Sequence, residues 1–119
     1  MPQSMFHRYG GAEKVSDLVF AFYDRVLASD RLSPFFAACD MRRLIEHQTK
    51  YLAAVMGGPQ SYSEEHLHEV HAPLGISNAD FKEMLALLRS AMVDSGYDVD
   101  DTDSVIRRLA ALRRVIVSE

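Results

Sequence analysis

A single cysteine, Cys39, rules out a disulfide within the chain, so nothing in the composition ties it to an oxidising compartment. No apolar run approaches the length needed to span a bilayer, and the opening Met1-Pro2-Gln3-Ser4 starts no signal-peptide hydrophobic region. Basic residues are not in excess. Thirteen Lys and Arg stand against seventeen Asp and Glu, for a net charge of −4 and a pI near 5.7. That balance leaves no electrostatic footprint for nucleic acid or an anionic membrane. Internal repeats, low-complexity stretches and strand-like alternation are absent as well. What remains is a chain of 119 residues, 48% apolar and 25% charged, the size and balance of one soluble domain spanning 1–119. A cytoplasmic address is the expectation.

Apolar residues recur at helical spacing nearly throughout. Val15, Leu18, Val19, Phe22, Tyr23, Val26 and Leu27 form a stripe that predicts a helix over 13–29. A short piece over 32–38 carries the pair Phe35-Phe36. Met41, Leu44, Ile45, Tyr51, Leu52, Val55 and Met56 predict a helix over 41–56, stopped by Gly57-Gly58-Pro59. Ser63 is placed to cap a short helix through about Ala72, with Glu64 and Glu65 in its first turn, and Pro73 ends it. A further helix is predicted over 79–95, capped by Ser77 or Asn78, with Phe81, Met84, Leu85, Leu88, Ala91 and Met92 inward. The last is predicted over 103–117, presenting Val105, Ile106, Leu109, Leu112, Val115 and Ile116. The polar start and the 95–103 turn are the least committed segments. The class is all-α.

Some polar residues fall where the core should be. Gln48 shares a helical face with Leu44, Tyr51, Leu52 and Val55, and a buried amide without a partner costs on the order of 1–3 kcal/mol. It either bonds a backbone carbonyl at the stripe's edge or faces a ligand. Tyr23 poses the same question from the first long helix. Of five histidines, His7 lies near the start and His47 beside Gln48, while His66, His68 and His71 cluster. His71 shares a face with Leu67, one turn before Pro73, and so projects inward. His66 and His68 point toward Glu64, Glu65 and Glu69. Imidazole is a common metal ligand whose second nitrogen is usually fixed by a hydrogen bond, and a helix end offers free carbonyls for it. A divalent-metal site from His66, His68 and His71, or a surface cluster without function, are the alternatives that spacing leaves open.

Taken together, several segments resemble the truncated (two-over-two) haemoglobins, most closely their first group. They are Arg8-Tyr9-Gly10-Gly11, Phe22-Tyr23-Asp24-Arg25-Val26-Leu27, Leu32-Ser33-Pro34-Phe35-Phe36, Gly57-Gly58-Pro59 and Val70-His71 followed by Leu74-Gly75-Ile76, in order along essentially the whole chain. The resemblance implies a globin-like helical sandwich around a non-covalent haem b, with His71 as the proximal iron ligand. Phe36, beside Phe35, corresponds to the phenylalanine wedged against the haem. Tyr23 corresponds to the distal tyrosine, Gln48 to its glutamine partner and Leu44 to the position of the distal histidine in muscle and blood globins. Tyr51 and Leu52 lie where the family often lines an apolar ligand tunnel, and Leu67, Ile76, Phe81 and Met84 are expected against the macrocycle. Some members use a histidine at the place of His47 as a second axial ligand; the other reading of His47 is a solvent-facing residue near a propionate. The histidine of the last helix that attaches haem covalently in some relatives has no counterpart here, and there is no Cys-x-x-Cys-His motif.

The implied function is reversible binding of dioxygen, nitric oxide and carbon monoxide at one open iron position, with Tyr23 and Gln48 donating hydrogen bonds to the gas in an apolar pocket. Conversion of nitric oxide to nitrate is a further implied activity. It requires an external reductase, because the chain has no flavin or nicotinamide motif. A gas sensor or electron carrier with His47 as reversible sixth ligand is the alternative, and a cofactor-free helical interaction module is a third.

Overall fold

The computed structural model describes residues 4–57 and 64–118, the side chains of 64–66 excepted. Among the described residues there are helices and turns and no strand. The helices are α1 (Met5–Arg8), α2 (Ala12–Leu27), α3 (Met41–Val55), α4 (Glu64–His71), α5 (Asn78–Asp94), α6 (Val99–Ala110) and α7 (Arg113–Ile116), with 3-10 turns at Ser33–Phe36 and Ala72–Leu74.

The core is the α2 stripe and what packs on it. Val15, Leu18, Val19, Phe22, Tyr23 and Val26 are buried, each apolar side chain contributing about 1.5–3 kcal/mol by leaving water. They meet α3 and α5, and α5 in turn packs on α6, bringing in Leu52, Leu88, Ala91, Met92, Val105 and Leu109. Leu27, expected inward, is 45% exposed. Seven residues is nearly two turns, so Leu27 lies under Phe20 on the solvent side, and Phe20 is exposed too.

Capping fixes where the helices begin. The Asp40 carboxylate accepts from Arg43 N–H at 3.3 Å to start α3. Ser77 and Asp80 form a reciprocal capping box at α5, each side chain accepting from the other's backbone N–H at 3.0 Å. Gly57, at φ +94°, ends the α3 turn in a conformation that L side chains rarely adopt, and a Cβ there would meet Ser4 Cβ at 2.9 Å. The proposed cap Ser63, and Gly58-Pro59, lie outside the described residues.

Two expectations are corrected, and a third point adds a helix where none was expected or excluded. The segment read as a loose turn over 95–103 already starts α6 at Val99. Asp98 caps it by accepting from Asp101 N–H at 2.9 Å, and Asp100 and Asp101 sit in the first turn, where carboxylates oppose the positive helix end. Polarity there marks a helix start. Tyr97, buried at 3% exposure, stacks on Tyr9 with ring centroids 4.4 Å apart. Second, the last helix is two: α6 ends at Ala110, and after Leu112 the chain restarts as α7, which packs on α4. Third, α1 precedes the first long helix. Ser4 caps it, and Phe6 N–H donates to Met56 C=O at 3.1 Å, tying it to the end of α3.

Candidate functional site

The helices enclose a cavity of about 320 Å³, within the roughly 300–1,000 Å³ usual for small-molecule and cofactor sites. The packing brings together at its wall the residues that the family resemblance assigned to the haem site. Tyr23 comes from α2, Phe35 and Phe36 from the 3-10 turn, and Leu44, His47 and Gln48 from α3. Leu67 and His71 come from α4, Ile76 from the following turn, and Phe81 and Met84 from α5. Tyr51 and Leu52 line it as well. Helical spacing accounts for the α3 set, since 44, 48, 51 and 52 fall on one face.

His71 stands in the last turn of α4, and its Nδ1 lies 2.7 Å from Leu67 C=O. A carbonyl only accepts, so Nδ1 carries a proton, and in the neutral ring the lone pair is then on Nε2. The bond is local, four residues back along the helix, and it fixes the ring's tautomer and orientation. His71 lines the cavity, with Nε2 the ring nitrogen not engaged by Leu67.

Tyr23 is buried at 4% exposure. Its ring is held edge-on by Phe22 at 4.9 Å and Phe36 at 5.5 Å between centroids. Burial, and secondarily the nearby Cys39 thiol, push its phenol well above the ordinary tyrosine range. It stays protonated and serves as a donor at any physiological pH. Among the described residues neither the Tyr23 hydroxyl nor the Gln48 amide has a hydrogen-bond partner in the protein. Burial likewise raises Tyr51.

The wall is otherwise apolar, Asp80 excepted. Asp80 is committed elsewhere: its bonds to Ser77, and then Arg31 at 3.4 Å, hold its carboxyl below the usual carboxylate range. Sequence spacing missed Asp80, Leu109 and Ile116 as lining residues. Leu109 and Ile116 come from α6 and α7, and no local pattern reveals which distant helix reaches a cavity. Val70 and Leu74 flank His71 in sequence and line the same wall, each nearly half exposed (47% and 46%). Adjacency to the histidine was the available signal. Cys39 is exposed and also touches the lining.

His68 is exposed and outside the lining. Its Nδ1 donates to Val115 C=O at 3.3 Å, as the outward reading of that residue expects; the His66 side chain lies outside the described residues. Among the described residues no group of three or more His, Cys, Asp or Glu is placed to hold a metal ion; the divalent-metal alternative also draws on His66, whose side chain lies outside them. The donor set fits a haem. One imidazole suits one bond to the iron, the apolar wall suits a flat hydrophobic ring, and two donors without a protein partner among the described residues suit a polar diatomic beside the metal. Among the described residues no helix is long and apolar enough to cross a membrane.

Comparison with known proteins points the same way. A family model described as bacterial-like globin matches residues 4–118. The chain is 33% identical over 111 residues to the group 1 truncated hemoglobin GlbN of Mycolicibacterium paratuberculosis, covering 93% of this chain and 82% of that one. It is 31% identical over 113 residues to the group 2 truncated hemoglobin YjbI of Bacillus subtilis, covering 92% and 85%. Its fold superposes on the crystal structure of truncated hemoglobin from Tetrahymena pyriformis in the Fe(III) form with a TM-score of 0.88 at 24% identity, over 98% of this chain and 100% of that one.

Proposed function

Because the chain belongs to the bacterial-like globin family, with the two-over-two helical fold of the truncated haemoglobins, we propose that it binds haem b non-covalently through His71. In this reading it takes up dioxygen, and also nitric oxide and carbon monoxide, beside Tyr23 and Gln48. The observation that carries it is the His71–Leu67 bond. It engages Nδ1 and leaves Nε2 for a metal, at the wall of a largely apolar cavity that Tyr23 and Gln48 also line. Haem supplies an iron whose sixth position stays open for a diatomic gas when a single histidine holds it.

The rest is the work of the chain's own residues. Phe35, Phe36, Leu44, Leu67, Ile76, Phe81 and Met84 exclude water and contact the ring. The Tyr23 hydroxyl, locked by Phe22 and Phe36, donates to the gas, and the Gln48 amide donates from the neighbouring helix. In a dry site such bonds weigh more than in water. With an external reductant supplying one electron, the same donors serve conversion of one nitric oxide and one dioxygen to nitrate. A cytoplasmic address belongs to this reading, supported by the lone reduced-compatible cysteine.

Hemin titration and dioxygen release by stopped flow test the assignment. The chain should bind one hemin, and Tyr23→Phe should speed dioxygen release roughly ten- to hundredfold, the worth of a hydrogen bond to a charged acceptor. Unchanged release would overturn the role of Tyr23. His47 lines the cavity from α3, which favours a second reading as a reversible sixth ligand in a sensor or electron carrier. A six-coordinate ferrous spectrum that His47→Ala abolishes supports it; a five-coordinate ferrous spectrum excludes it.

A further inference from the structure

The helix that carries His71 is only eight residues long, too short to hold its shape alone in water. Unlike α2, α3, α5 and α6, which brace one another, α4 finds its main packing partner in α7, near the chain's end. Three hydrogen bonds from the run Val115–Ser118 reach the segment around His71. His68 Nδ1 donates to Val115 C=O at 3.3 Å, one turn before His71. Immediately after His71, Ser118 Oγ donates to Ala72 C=O at 3.3 Å. Ser118 N–H then donates to Ile76 C=O at 2.8 Å. A single residue thus bonds both ends of the turn 72–76, which reverses through Gly75 at φ +67°. Ile116, between these anchors, lines the cavity itself.

We infer that residues 115–118 form a strap that positions the proximal histidine, with Ser118 its principal fastening. This inference rests on the assignment of His71 to the haem iron. Ser118 and His68 touch neither gas nor iron in this scheme; they are positioning residues that act through the α4 backbone. Because α4 has little other bracing, the strap sets how firmly Nε2 is presented, and so how fast haem is lost.

Ser118→Pro tests this cleanly. Proline lacks the N–H that reaches Ile76 and the hydroxyl that reaches Ala72. Val117 already has φ −80° and ψ 138°, the extended conformation that a following proline requires of the residue before it. Ser118→Ala removes the hydroxyl alone and serves as the milder variant. In the apoprotein, amide exchange over 67–71 should quicken about tenfold in Ser118→Pro and about threefold in Ser118→Ala, with the α2 core amides unchanged. In the hemin-loaded protein, release to an excess of apomyoglobin should quicken in the same order, by about fivefold for proline. The iron–histidine stretch in the ferrous resonance Raman spectrum should broaden or shift. Unchanged α4 exchange in both variants, or faster exchange with unchanged hemin release, overturns the strap. A parent chain that takes up no hemin overturns the haem assignment and with it the strap's role toward iron, while the exchange data still report separately whether 115–118 braces α4.

Discussion

The two walls of the cavity are built on different principles. Tyr23 stands on a helix of 16 residues whose buried stripe is the heart of the core, and Gln48 on a helix of 15 residues packed against it. His71 stands on a helix of eight residues fastened from outside by the chain's last described turn. In the proposed reading, the wall that meets the gas is braced by the long helices, and the wall that would hold the metal is local and tethered, which leaves room for tuning by a few hydrogen bonds.

The sharpest way to break that contrast is at His71. Replacing it with glycine should weaken hemin binding by more than about a hundredfold, beyond the roughly 10- to 100-fold typical of losing an outer partner of a metal ligand. Millimolar imidazole should restore the axial bond and the parent-like spectrum. Hemin binding unaffected by His71→Gly would remove the proximal wall from the account altogether. Next in size, Leu18→Ala opens a void in the fully buried α2 stripe and should cost about 2–5 kcal/mol in urea unfolding of the apoprotein. If the distal wall is the core, this variant should also speed dioxygen release, whereas the Ser118 variants should leave that rate nearly unchanged.

The smallest effect belongs to the fastening behind the distal wall. Asp101 accepts from Arg8 at 2.9 and 3.0 Å and from the Tyr9 hydroxyl at 2.7 Å. The Arg8 guanidinium first, and the Tyr9 hydroxyl second, hold its carboxyl below the ordinary range. A depressed carboxylate stabilises the fold above its unfolded value of about 3.9 and loses that contribution as pH falls through its lower folded value. Asp101→Asn should therefore melt slightly below the parent at neutral pH, with the gap closing as pH drops below about 4. A gap that persists at low pH would mean the carboxylate charge is not what ties α1 to α6. Hemin release should not change, because this contact braces neither α4 nor α7.

Much of this was legible along the chain. The 3.6-residue spacing of Val15 through Val26 dictated α2, and Ser77 announced the start of α5, because caps and stripes are local chemistry. The same spacing placed Gln48 with Leu44, Tyr51 and Leu52 before any neighbour was known. Less legible were the elements whose logic lies elsewhere. The acidic run 98–103 reads as a loop until Arg8 and Tyr9 arrive from 92 or 93 residues away. The last stripe reads as one helix until α4 gives its end a separate partner.

What the sequence determined by itself, then, is which residues are helical, which faces are apolar, and which few polar side chains stand among them. Those properties follow from backbone geometry and side-chain type within a few turns. Only the tertiary structure decided that Tyr23, Gln48 and His71, from three separate helices, share one cavity, and that Ser118 fastens the turn beside the histidine. Such meetings depend on how stripes pack at long range, and the energy of that packing belongs to the pairs rather than to any segment alone.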